Sequence, residues 1–323
     1  MLNNFAYPLL GSEIALSVYP QLIKLIPATL EIQIAVRCIT YSVLALLGYF
    51  INGSSSGKAI ESISKKSKTS SIFFYLLMGI VNIFHIASSY ISYKILPSGI
   101  AYSLFYTYPI FNLLFRNIFF DESIQIINYL YIIIAIIGVY LIYSNNDSDS
   151  DNDDKLPINS KLSIESSKEF SKESYDFFKK FTSKDTMIGL FSGIGSAFTE
   201  SLMYLMVKAD VSSISPFIQV LKTYILGGIL SVGYLLKNLD KINLDWNYWT
   251  TLILFNSLVG FIGYVIRFFT IPRLTTLMFN SLIFIGVIFS YIWGYLFSNE
   301  KIKIANSLGT ILILLSVFKI NNK

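Results

Sequence analysis

Few residues in this chain are equipped for chemistry, and most of them sit in apolar surroundings. Glu13 lies in LLGSEIALSV and Glu200 in GSAFTESLMY. Carboxylates so placed are candidate proton or cation sites, while the plainer reading is that each neutralises a nearby cation. Arg37 and Lys222 are candidate anchors for an anionic group, and the arginine offers a planar fork that matches carboxylate or phosphate. The plainer reading of Arg37 is a salt bridge, for example to Glu13 or Glu31. His85 is the sole histidine and stands one helical turn from Asn82. It suits a proton relay or a substrate contact, or simply a hydrogen bond between helices. Tyr106, Tyr108 and Tyr264 are candidate cavity-lining rings, and Tyr108 is also a candidate substrate contact. Asn112, Asn256 and Asn280 suit hydrogen bonds between helices, with Asn280 a further candidate for substrate.

Other polar residues have simpler explanations. Arg116 and Arg267 stand near the ends of apolar runs, where orientation charge or snorkelling accounts for them. Glu122 and Glu300 fall at turns that open apolar segments, where an acid complements a helix N-terminus. No enzyme emerges from this set. There is no HExxH, no aspartate deep in an apolar run and only one histidine. The single cysteine, Cys38, forbids an intramolecular disulfide and a cysteine metal cluster. No metal, cofactor or nucleic acid is expected; the lysines that raise the net charge to +5 lie between apolar runs.

The elements that must position these residues follow from composition. Hydrophobic residues make up 54% of the 323 and charged residues only 14%, with a mean hydropathy of +0.59. Soluble domains carry about 25% charged residues. Seventeen of the charges fall in 144–186 and five in 52–71. The remaining sequence is too poor in charge to cover a water-soluble surface and too uniformly apolar for a single anchor. A helix needs about 20 mostly apolar residues to cross the bilayer core. Such stretches run near 5–24, 31–51, 72–93, 98–118, 124–143, 187–207, 215–236, 248–270, 274–297 and 302–320. The expected fold is therefore all-α integral membrane, with ten transmembrane helices, because lipid leaves no partner for unpaired backbone groups. Pro27, Pro97, Pro216 and Pro272 stand at or near helix starts, where the missing N–H costs nothing.

The lysines of 52–71 place that loop in the cytoplasm, and with it both termini. No basic segment precedes the first apolar stretch, so a cleaved signal peptide is not expected. The linker 144–186 then lies on the opposite side. Its SNNDSDSDNDD (144–154) lacks the glycine and terminal glutamate of a calcium loop and reads as solvated linker. Its SKEFSKESYDFFKKF (167–181) has the spacing of a short amphipathic helix at the interface.

The linker divides the chain into a first five-helix unit, 1–143, and a second, 187–323. Shifting the first by 178 positions lays Ser103 on Ser281, Phe119 on Phe297, Glu122 on Glu300 and Asn128 on Asn306. Lys24 and Lys208 close the first helix of each unit, while Lys222 is one residue out of step with Arg37. A five-span unit begins on one side of the membrane and ends on the other, so the second copy must be inserted upside down. Two inverted repeats are a transporter architecture. The run from Pro97 to Gly138, with Tyr108-Pro109 and Phe120-Asp121-Glu122, then Ser298-Asn299-Glu300 and Gly309, resembles the EamA-type repeats of the drug/metabolite transporter superfamily. Arg37 resembles the arginine that opens the second helix of that repeat, and Val287 stands where the family has proline. The resemblance implies a multi-pass carrier of small polar organic metabolites working by alternating access in the lipid bilayer. A coupled proton, a counter-substrate and a homodimer are open alternatives within it. The nucleotide-sugar and phosphorylated-metabolite branch of the superfamily, or a scaffold that has lost transport, are the alternatives to that function.

Overall fold

The computed structural model describes residues 5–52, 68–120, 125–147, 183–209, 215–239, 242, 245–271, 273–274 and 276–321. The described residues form helices and no strand. In the first unit these are α1 (Ala6–Leu16), α2 (Tyr19–Leu25), α3 (Leu30–Asn52), α4 (Lys68–Ile95), α5 (Ser98–Phe105), α6 (Tyr108–Phe120) and α7 (Ile126–Asp147). The second unit has α8 (Ser183–Ala209), α9 (Pro216–Lys237), α10 (Trp246–Phe255), a π-helical turn (Asn256–Phe261), α11 (Ile262–Thr270), α12 (Thr276–Ser298) and α13 (Ile304–Asn321). Pro97 is the N-cap of α5 and Pro216 opens α9. Among the described residues, five stretches of helix are long and apolar enough to cross a membrane: Leu30–Ile51, Ile72–Ile95, Asp185–Val207, Pro216–Lys237 and Trp246–Thr270. Shorter apolar helices occupy Ile126–Ile142, Leu282–Ser298 and Ile304–Lys319.

Two expected continuous helices are each broken. Residues 5–24 fold as α1 and α2, and 98–118 as α5 and α6. A proline lacks the N–H, and its ring meets the carbonyl four residues back. Pro20 therefore ends α1 at Leu16, and Pro109 ends α5 at Phe105. The boundaries of the charged segments also move. α4 begins at Lys68, α7 runs to Asp147 and α8 starts at Ser183, inside the expected linker. The stretches 148–154 and 167–181, and Glu122, lie outside the described residues.

Corresponding helices of the two units pack against each other and run antiparallel. On α3 and α9, Cys38 faces Gly227 while Gly48 faces Phe217. On α7 and α13, Gly138 meets Gly309 and Ile313 while Ile142 meets Gly309. A Cβ added at either Gly138 or Gly309 would lie 2.6 Å from the other's carbonyl oxygen, so these two backbones touch only because both residues are glycine. α4 lies along α8, also antiparallel, with Leu96 near Gly189 and Ser92 near Gly193. In the other exchange-related contact, α1 packs on α11 and α12. The fold thus brings the ends of α1 and α5 and the middles of α4, α8 and α11 to one buried centre.

Candidate functional site

The centre is organised by Arg267, on the short helix α11. Its Nε donates to Glu13 Oε1 at 2.5 Å and its Nη2 to Glu13 Oε2 at 2.9 Å, a two-point fork. Nη2 also donates to the Tyr106 hydroxyl at 2.8 Å, and that hydroxyl in turn donates to Glu13 Oε2. Nη1 reaches Glu200 Oε1 at 3.4 Å. Glu13 has no exposed surface, and Arg267 is buried. The break between α5 and α6 brings the Tyr106 hydroxyl to the pair. His85 completes the cluster: Nε2 stands 3.5 Å from Glu200 Oε2, and Nδ1 lies 3.2 Å from the Ser196 carbonyl. A carbonyl only accepts, so Nδ1 carries a proton toward Ser196 and Nε2 is the nitrogen turned to the carboxylate.

Arg37, on α3, sits beside this cluster in an aromatic box. Its guanidinium carbon is 4.8 Å from the ring centre of Tyr264, 5.1 Å from Tyr19 and 5.2 Å from Tyr41, with Tyr90 and Tyr224 within 5.9 Å. Cation–π attraction to several faces offsets part of the cost of burying the charge. Nη2 donates to the Tyr224 hydroxyl at 3.0 Å. The box is braced from behind. Tyr19 donates to Asn256 Oδ1 at 2.8 Å, which leaves Tyr41 to donate to the Tyr19 oxygen at 2.7 Å. Gly260 makes this possible, because a Cβ there would stand 2.0 Å from one hydroxyl and 2.1 Å from the other. Asn256 and Gly260 belong to the π-helical turn, a distortion that recurs at functional sites. A cavity of about 20 Å³ is lined by Arg37, His85, Ser89, Tyr102, Tyr264 and Arg267, among others.

The candidates from sequence divide accordingly. Glu13, His85 and Glu200 meet in one cluster, with Arg37 adjoining it. Of the two example partners for Arg37, Glu13 is instead held by Arg267, and among the described residues Arg37 forms no salt bridge with Glu13 or Glu31. Tyr108 is buried behind the cluster, with its ring 6.2 Å from Tyr106 and 6.4 Å from Tyr204, and it does not line the cavity. Lys222 does not reach the centre. It donates to the Tyr75 hydroxyl at 2.9 Å and lies 4.3 Å above that ring. Its one-residue offset is about 100° of helix rotation, and the α9 side chain that reaches Arg37 is instead Tyr224. Asn280 lies in α12, with its side chain outside the described residues. Asn112 accepts from Ser201 Oγ at 2.7 Å, an interhelical bond like that of Asn256.

Arg267 is the main correction to the sequence reading, which placed it as an orientation charge near a helix end. The signal was present in its own segment. Asn256, Gly260, Tyr264 and Arg267 recur every three or four residues and so share one face. A second polar cluster lies away from the cavity. Glu300 accepts from the Ser98 backbone N–H at 2.7 Å, from Ser98 Oγ at 3.0 Å and from Lys24 Nζ at 2.5 Å. Gln21 donates to both Glu300 and Ser98 and accepts from Ser298. The expected complement to the helix that follows Glu300 is thus directed to the N-terminus of α5, in the other unit.

The family description "EamA-like transporter family" matches the chain twice, over residues 9–144 and 187–322. No curated protein matches it. Fifteen solved chains do. One of them, described only as a crystal structure of a protein, superposes with a TM-score of 0.57 over 99% of this chain and 98% of its own. At 9% identity that is a likeness of fold alone.

Proposed function

Because the chain belongs to the EamA-like transporter family, we propose that it is a ten-span carrier of small polar organic metabolites that works by alternating access. The family makes it an integral multi-pass membrane transporter whose setting is a lipid bilayer and whose cargo is a small molecule. The domain reading is 1–143 and 187–323 as two inverted units around the linker 144–186. The antiparallel course of α3 against α9, and of α7 against α13, supports the inversion.

One observation carries the mechanism. Glu13 and His85 from the first unit and Glu200 and Arg267 from the second share one buried charge network. Charged side chains cost several kcal/mol to bury. Placed across the boundary between two moving halves, they form and break contacts as the halves rock, and a polar solute can replace water among them. The Lys24–Glu300–Ser98 cluster is the closure at one end. It ties α2 and α5 of the first unit to the α12–α13 turn of the second, with both charged side chains nearly buried. Opening that end requires hydrating this cluster.

The test is uptake by purified protein in liposomes, across amino acids, nucleotide sugars and phosphorylated metabolites, with Arg267→Gln as the matched variant. The proposal expects one class to accumulate with the parent protein and at least 10-fold less with the variant. No accumulation of any class favours a non-transporting scaffold. Both termini are assigned to the cytoplasmic side. A glycosylation acceptor introduced within 155–175 should be modified and one within 55–65 should not; the reverse pattern refutes the orientation.

A further inference from the structure

Two features of the centre are incomplete as they stand, and they are incomplete in complementary ways. Arg37 is buried and among the described residues has no carboxylate partner. Its donors reach the hydroxyls of Tyr224 and Tyr90, its Nε has no hydrogen-bond acceptor, and Tyr19, Tyr41 and Tyr264 offer ring faces, which attract the charge but accept no strong N–H bond. The guanidinium borders the cavity. A planar oxyanion is the chemistry that fits such a fork. The second feature is the His85–Glu200 contact. With Nδ1 donating to the Ser196 carbonyl, Nε2 faces Glu200 Oε2 at 3.5 Å, a pair of basic atoms placed to share one proton.

Charge balance links the two. Glu13, Glu200, Arg37 and Arg267 sum to zero while His85 is neutral. Adding a monoanion leaves one enclosed negative charge, which is costly in a low-dielectric interior. The groups around the His85–Glu200 pair cannot supply the missing positive charge. Arg267 from α11 is already committed to Glu13 of α1, Tyr106 to the same pair, and Arg37 of α3 to the incoming anion. Tyr102, Tyr264 and Tyr19 present neutral rings to the cavity. One proton between His85 Nε2 and Glu200 Oε2 restores neutrality and gives each acceptor its partner.

We propose that this site takes an organic oxyanion as its monoanion, a carboxylate or a singly protonated phosphate monoester, on Arg37 together with one proton on the His85–Glu200 pair, as a neutral combination. The inference rests on the carrier reading, which makes the centre a ligand site. At about 20 Å³ the cavity has room for about one water molecule. The ligand therefore enters as the halves part, since Arg37 and His85 come from one unit and Arg267 and Tyr264 from the other.

The test uses the full chain in detergent with four probes of similar size: benzoate, phenyl phosphate, benzyl alcohol and benzylammonium. Thermal unfolding and a pH indicator in weakly buffered solution are read together. Benzoate or phenyl phosphate should raise the unfolding midpoint by about 5 °C at a hundred-fold excess over its Kd. Benzoate binding should take up about one proton per site, and whichever anion gives the larger shift identifies the head group. Arg37→Gln should abolish the shift. Arg37→Lys, which keeps the charge but not the fork, should weaken binding about 10-fold. Glu200→Gln should keep the benzoate shift and lose the proton uptake. Equal shifts from benzyl alcohol or benzylammonium, an undiminished shift in both Arg37 variants, or anion binding without proton uptake would each overturn the proposal. Anion binding with proton uptake but no movement into liposomes would sink the carrier reading and leave the site. Uptake of a neutral solute without anion binding would do the opposite.

Discussion

Glu300→Gln should open one end of the protein without unfolding it. Glutamine keeps the shape and an oxygen for the Ser98 N–H but removes the charge that faces Lys24 at 2.5 Å. The Lys24 and Glu300 side chains retain only 5% and 8% of their exposure, so the variant leaves an ammonium enclosed. Breaking a buried pair by removing one partner costs about 3–5 kcal/mol. In a conformation where this end is open to water, Lys24 is hydrated and the substitution costs little. The difference falls on the closed state alone. At about 1.36 kcal/mol per tenfold, the closed-to-open ratio drops by roughly two to four powers of ten. Hydrogen exchange of the peptide spanning 97–105 reads this directly, because Ser98 N–H is held by Glu300 and its neighbours are sheltered by the same cluster. Exchange there should quicken by at least 100-fold, while peptides in α13 beyond Gly309 keep the parent rate. Unchanged exchange at 97–105 in a folded variant would refute the idea that this cluster holds the end shut. Faster exchange throughout the chain would show that the pair stabilises the fold and gates nothing.

Arg267→Lys should fail to restore uptake, because an ammonium cannot span Glu13 in a two-point fork and reach Tyr106 as well; uptake at parent rates would refute a positioning role for that geometry. Gly260→Ala should lower stability by about 1–3 kcal/mol through overpacking, read as a lower unfolding midpoint in detergent, since its methyl would enter the space of the Tyr19 and Tyr41 hydroxyls. Tyr19→Phe in the same background should relieve part of that loss; no relief would mean the hydroxyl contact is not the cause. Lys222→Gln should leave uptake within about twofold of the parent, because its partner Tyr75 lies outside the cavity; a loss of 10-fold or more would return Lys222 to the site.

Much of the architecture was legible because bilayers impose strong rules on sequence. Apolar length, loop lysines and the recurrence of Glu122 at Glu300 and Asn128 at Asn306 are enough to mark two units. The site was legible where a charge stood alone in apolar sequence, as Glu13, Arg37, His85 and Glu200 do. It was illegible where a charge stood near a helix end, because depth depends on where the helix starts and how it tilts. Arg267 lost its meaning that way, although the spacing from Asn256 to Arg267 marks the face. Pairing was illegible for a different reason: Glu13 and Arg267 are joined by tertiary packing across most of the chain, and nothing local links them. The helix breaks were readable from Pro20 and Pro109, but a hydropathy window averages over a proline and sees one continuous span.

The reciprocal contact of Gly138 and Gly309 has a consequence for motion. Each glycine rests on the other's carbonyl, and the helices that carry them are counterparts in the two units. In the proposed inverted arrangement, the line relating the units passes through this crossing, as it does through the crossing of α3 with α9. In the proposed alternating access the units trade conformations, so everything off that line acquires new neighbours while a point on the line is mapped onto itself. In that scheme the α7–α13 pair is the axle of the proposed motion, and the two missing side chains are its bearing. A methyl group on either glycine would press on the other's carbonyl and separate the helices at a place where that motion needs no space.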